Sequence, residues 1–132
     1  MLRKEIMTAE MQKMAQAMAR LFGLKIDGLV LEADELIAET LIENFNLTFD
    51  QLENFTAAEF EEYLKTQNFS KEKTALLSQF LYAKIDSFES TNQNKDIAER
   101  LLQLYDFIET EHNTSSFEIL KRKVKVKQLL SS

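Results

Sequence analysis

Cysteine and proline are absent from this sequence of 132 residues, and its only glycines are Gly23 and Gly28. Without cysteine the chain has no thiolate nucleophile, no cysteine-ligated zinc and no disulfide framework, although the compartment stays undecided. Strand-rich folds need turn residues about every 8–12 positions, and two glycines cannot supply them. These absences predict an all-α fold.

Long apolar runs are missing as well. The N-terminus "MLRKEIMTAEMQK" has basic residues but no unbroken apolar run behind them, and no stretch approaches the roughly 20 apolar residues that a spanning helix needs. We therefore expect no membrane association and a cytoplasmic location. At this length we also expect a single domain with a sizeable core.

The charge is distributed unevenly along the chain. The net charge is −6, but residues 1–120 hold all 22 acidic groups against 11 basic ones, a net of −11, and the tail holds +5. An acidic body repels phosphate, so nucleic acid is not the expected partner. The tail cations are Lys121, Arg122, Lys123, Lys125 and Lys127.

Four of the five methionines lie in the opening stretch "MTAEMQKMAQAMARLFG". Their spacings of four, three and four, continued by Leu21, place them on one helical face, which Ala15 and Phe22 should flank on one side and Ala17 on the other. Such a stripe predicts core. Methionine also serves adaptable binding surfaces, so an interface with a partner or a second copy through the N-terminal helix remains the alternative. The stripe consists of Met7, Met11, Met14 and Met18.

Helical periodicity predicts five to seven helices, which include two antiparallel hairpins. The first helix should run from about Leu2 to Leu24 or Ile26, where Asp27-Gly28 signals a turn. The polar run "STNQNKD" should separate the helices of the second hairpin, with a helix starting at Ile97. The predicted segments are hairpin 1 at about 2–45, bridging helices within 48–66, hairpin 2 at about 70–111 and a basic C-terminal helix at 116–130.

Helix starts are marked by hydroxyl residues. A capping box pairs a hydroxyl with a carboxylate or amide three residues later, so that each satisfies the other's free backbone N–H. The predicted boxes are Thr48 with Gln51, Thr56 with Glu59 and Ser115 with Glu118, and Ser70 should cap a helix over 71–89.

The middle and the end of the chain carry two further apolar patterns. The first is a group of phenylalanines that should wedge the connection between the hairpins into a common core: Phe45, Phe49, Phe55, Phe60 and Phe69. The second lies on the C-terminal helix and should dock on hairpin 2, with Leu120 and Val124 beside it: Ile119, Val126 and Leu130.

Ala33 and Ala98 occupy matching places early in the second helix of each hairpin, where a small residue allows close helix packing. In this respect the two units resemble tetratricopeptide (TPR) repeats. The segments "MAQAMARLFGLK", "EADELIAETL" and "LLQLYDFIETEHNTSSFE" resemble an uncharacterised bacterial family of small TPR-like helical proteins. The resemblance implies a TPR-like arrangement of helical hairpins and no particular activity.

Catalytic and metal signatures are sparse. Glu109-x-x-His112 has the spacing of half a di-iron site, but His112 is the only histidine, so a helix-end histidine that interacts with the last carbonyls is the expected meaning. No glycine-rich phosphate loop or glycine-flanked serine is present. We therefore expect no enzyme, cofactor or metal, although a site built from scattered carboxylates stays open.

The expected function is a non-catalytic scaffold or adaptor that binds a protein or peptide in the groove between the hairpins. The alternative is a regulatory or nucleic-acid-associated protein that acts through its basic last helix. The candidate partner-binding residues are Met7, Met11, Met14, Met18, Lys121, Arg122, Lys123 and Lys125.

Overall fold

A computed structural model shows an all-α chain. It describes residues 2–85, 91–113 and 116–131, with side chains from residue 9 onward, and within these ranges no residue lies in a strand. The described residues form seven helices: α1 Leu2–Ile26, α2 Val30–Phe45, α3 Phe49–Asn54, α4 Ala57–Gln67, α5 Lys71–Ile85, α6 Asn92–Glu111 and α7 Phe117–Leu130. The predicted all-α fold class, with five to seven helices, is confirmed.

The chain contacts group into two compact units, Met1–Asn46 and Leu47–Ser132. The first unit is the hairpin of α1 and α2, which contact each other. Gly28 adopts a left-handed φ of 72° in the turn, a conformation that glycine reaches without strain. The predicted extent of α1 and the position of this turn are confirmed.

The methionine stripe lies mostly in the interior. Met14 and Met18 are 0% and 6% exposed, Met11 is half-buried, and the side chain of Met7 lies outside the described residues. Met14 and Met18 are therefore not available on the surface as partner-binding residues. The predicted flank is wrong on one side, because Ala15 and Phe22 are both exposed, whereas Ala17 on the other side is half-buried.

In the second unit, side-chain caps set several helix starts. Thr48 and Thr56 form complete capping boxes with Gln51 and Glu59, as the sequence predicts. The Ser70 hydroxyl accepts a hydrogen bond from the Lys73 backbone N–H at 3.1 Å, as expected of a cap.

Two predicted helix starts need correction. Ser116 caps α7, because its hydroxyl accepts from the Ile119 N–H at 3.1 Å; the predicted cap, Ser115, lies outside the described residues. Helix α6 begins at Asn92 rather than Ile97, because the Thr91 hydroxyl caps it through the Asn94 N–H. The end predicted for α5, which includes Phe88, falls on residues 86–89, outside the described ranges.

Helix α6 is the centre of the second unit and contacts α3, α4, α5 and α7. Its inward face is completely buried, including Ala98. Phe60 is buried and stacks on Tyr63, whereas Phe49, Phe55 and Phe69 are only half-buried, so these three rings do not enter the core as fully as predicted. The buried face of α6 consists of Asn94, Ile97, Ala98, Leu101, Leu104, Tyr105 and Ile108.

Candidate protein-binding surface

Helix α7 packs against α6. Val126 and Leu129 on its inner side are buried, and Ile119 and Leu130 are half-buried. Helix α7 therefore docks on α6 through buried apolar side chains, as predicted. The rotation of the helix differs from the prediction, since Leu120 and Val124 face outward.

Lys123 explains part of this rotation. Its ammonium group donates to the Asp106 carboxylate at 3.0 Å and pairs with Glu109, both on α6. Partial burial acts to lower the pKa of Lys123, but the hydrogen bonds and charges of Glu109 and Asp106 outweigh it and raise that pKa above its ordinary value. Helix α7 thus turns a cation, rather than Val124, toward the acidic side of α6.

Arg122 is also held within the unit. Its guanidinium group lies 4.7 Å from the centre of the Tyr82 ring on α5 and 3.1 Å from the Glu118 carboxylate. A guanidinium over an aromatic face gains a cation–π attraction while its stem packs on the unit. Two of the five tail cations therefore contribute to intramolecular packing.

The opposite side of α7 carries three exposed apolar side chains. Phe117, Leu120 and Val124 are 76%, 51% and 56% exposed, and their spacings of three and four place them on one side of the helix. We call these three residues the outer stripe of α7. Single exposed apolar residues are ordinary, but several aligned in one patch are typical of an interaction site.

Cations border the outer stripe of α7. The Lys121 ammonium lies 5.5 Å from the centre of the Phe117 ring, and Lys125 and Lys127 are exposed. An open depression of about 400 Å³ continues the stripe, lined by Val124, Lys127, Gln128 and Ser131. The surface is therefore apolar at its centre and basic at its edges.

The predicted binding residues divide into three groups. Lys121 and Lys125 lie exposed on α7, Arg122 and Lys123 are tied to the second unit, and the buried methionines belong to the core. The sequence reasoning did not identify Phe117, Leu120 and Val124 as a site. Their three-and-four spacing is the signal that could reveal it, but the sequence-based interpretation places Leu120 and Val124 beside the docked side and assigns Phe117 to neither side.

The one histidine closes α6. The His112 backbone N–H donates to the Ile108 carbonyl at 3.1 Å, and the ring packs edge-on against Phe107. A pocket of about 230 Å³ between α4 and α6 lies close by, smaller than the roughly 300 Å³ at which small-molecule sites begin. Over the part of the chain that the structure describes, no three acidic or histidine side chains are placed to hold a metal ion.

Two tyrosines should make the stability of the second unit decrease at alkaline pH. Burial raises the pKa of Tyr63, and burial also raises that of Tyr105, although the neighbouring Arg122 opposes the change. The folded state then keeps protons that the unfolded chain releases above about pH 10, so stability is complete below that pH and falls as pH rises. The slope is about 1.4 kcal/mol per pH unit for each tyrosine.

We therefore expect urea unfolding to give a constant stability from pH 7 to about pH 9.5 and a steep decline above about pH 10. Tyr105→Phe should lose part of that alkaline slope. If Tyr105→Phe and Tyr63→Phe each kept the full slope of the unchanged protein, neither hydroxyl group would be the cause of the decline.

Comparison of the chain with protein-family models, with curated proteins and with solved structures gives no match. Among the described helices, none is both long enough and apolar enough to cross a bilayer.

Proposed function

We propose that the protein is a non-catalytic helical adaptor that binds an acidic, amphipathic helix of a partner protein on the outer stripe of α7. The observation that carries the proposal is the row of Phe117, Leu120 and Val124, bordered by lysines. Leucine-type residues on one side of a partner helix would pack against this row. The carboxylates of that helix would meet the lysines at the edge.

This proposal moves the binding surface from the groove between the hairpins to α7. The TPR-like packing, the bacterial origin and the cytoplasmic location expected from the sequence fit an adaptor and form part of the same proposal. The buried Ala33 and Ala98 support the TPR-like packing in this proposal, because each occupies the small-residue position in a helix pair.

Nucleic-acid binding is the competing function for a basic helix. Phosphate binding needs several cations directed to one surface, whereas Arg122 and Lys123 are engaged by Glu118, Asp106 and Glu109. The apolar row would also contribute little to the binding of a phosphate backbone. Both facts favour a protein partner.

A titration with a synthetic probe tests the proposal. The probe is a fluorescent amphipathic helix made of leucine and glutamate, and its control peptide replaces glutamate with lysine. The protein should bind the first peptide and not the second. Leu120→Glu should weaken binding about tenfold or more, equivalent to about 1.4 kcal/mol.

Ala58→Glu is the matched control, because it adds the same charge at an exposed position of α4. It should bind the peptide as the unchanged protein does. Equal affinity for the two peptides, or equal binding by Leu120→Glu, would contradict the proposal. Binding of an RNA oligonucleotide with a steep salt dependence, and none of the peptide, would establish the competing function.

A further inference from the structure

The outer side of α2 has the chemistry that the outer stripe of α7 should recognise. Leu31 and Ile42 are 79% and 56% exposed, and they share one side of the helix with Glu35 and the half-buried Ala38. We call Leu31, Glu35, Ala38 and Ile42 the outer stripe of α2. It is long enough for a helix to lie along it.

The two stripes have opposite charge. Residues 26–64 contain no lysine or arginine, so α2 carries acidic side chains and no basic ones. Helix α7 contains five cations against the single carboxylate of Glu118. The acidic residues of α2 are Glu32, Asp34, Glu35, Glu39 and Glu43.

We infer that the outer stripe of α2 of a second copy of this chain binds the outer stripe of α7, so that self-association and partner binding exclude each other. The inference rests on the proposed function in one respect, that the outer stripe of α7 is a protein-binding surface. Charge favours a second copy as the partner of this stripe, because α2 has aligned apolar side chains among carboxylates and α7 has aligned apolar side chains among lysines.

The composition of the two stripes also bears on the strength of the association. Each copy offers one acidic and one basic stripe, so the acidic stripe of one copy can pair with the basic stripe of another. The apolar rows are short, so the interface is small and the association should be weak. Because the lysines and glutamates at the edges are exposed, salt should weaken the contact.

A charge exchange in the full chain tests the inference by sedimentation velocity. One variant carries Glu35→Lys and Glu39→Lys on α2, and the other carries Lys121→Glu and Lys127→Glu on α7. The unchanged protein should associate as its concentration rises to about 1 mM, and less so at high salt. Each variant alone should be monomeric, because like charges face each other.

An equimolar mixture of the two variants should associate again, since each then meets its opposite. The control for the α2 variant is Glu62→Lys with Glu72→Lys, which changes the net charge by the same amount at exposed positions of α4 and α5. This control should associate like the unchanged protein. A mixture that stays monomeric, or an unchanged protein that is monomeric throughout, overturns the inference.

The peptide titration separates this inference from the proposed function. The α2 variant keeps the outer stripe of α7 intact, so it should bind the leucine–glutamate peptide without competition from self-association. Peptide binding by a protein that never self-associates overturns only the inference. Restored association of the mixed variants without any peptide binding overturns the adaptor function and leaves the self-association established.

Discussion

Met14→Lys should unfold the protein or bring it close to unfolding at neutral pH. Met14 is completely buried, so a lysine there must either keep a desolvated charge or release its proton. Lowering a lysine pKa by about 3 to 5 units costs about 4 to 7 kcal/mol, against a total stability of about 5 to 15 kcal/mol for a domain. Thermal unfolding followed by circular dichroism measures the loss.

Ala15→Lys is the control for this substitution, because it places the same side chain at the neighbouring, exposed position of α1. It should change stability by no more than about 0.5 kcal/mol. The deficit of Met14→Lys relative to the unchanged protein should shrink as pH rises toward about 10, where the unfolded lysine also begins to lose its charge. A melting temperature unchanged by Met14→Lys, with a change in oligomeric state, would instead make the methionine stripe an interface.

Two matched double substitutions should separate the two sides of α7. Val126→Ala with Leu129→Ala removes buried methyl groups at the α6 contact and should cost about 3 to 6 kcal/mol. Val124→Ala with Leu120→Ala makes the same change of composition on the exposed side and should alter stability by no more than about 0.5 kcal/mol. Chemical denaturation of both proteins gives the comparison.

The reverse order of these two costs would mean that α7 docks through Leu120 and Val124 instead of Val126 and Leu129. Equal and small costs would mean that α7 contributes little apolar burial on either side. The first result would remove the basis for an exposed stripe and with it the proposed binding surface, and the second would contradict the docking of α7 through Val126 and Leu129.

Periodicity and capping were sufficient to predict most of the helical layout. The extent of α1, the Gly28 turn and the Thr48 and Thr56 capping boxes follow from local sequence, because each depends on residues within one or two turns. The early start of α6 was missed because the polar run after Thr91 resembles a loop, yet one hydroxyl cap is enough to begin the helix there.

The rotation of α7 could not be predicted in the same way. Its apolar residues are spread around the helix, so periodicity allows more than one buried side. The choice depends on partners distant in sequence: Asp106 and Glu109 attract Lys123, and the Tyr82 ring receives Arg122. The exposed stripe, and hence the candidate site, follows from that tertiary choice.

In-cell photo-crosslinking tests the central claim, that the outer stripe of α7 is a protein-binding surface. A photoreactive phenylalanine analogue would replace Leu120 in one protein and Ala58, exposed on α4, in the other. Irradiation of native cells should give a discrete covalent adduct with a protein from position 120 and none from position 58. No adduct at position 120, or the same adduct from both positions, would contradict the account.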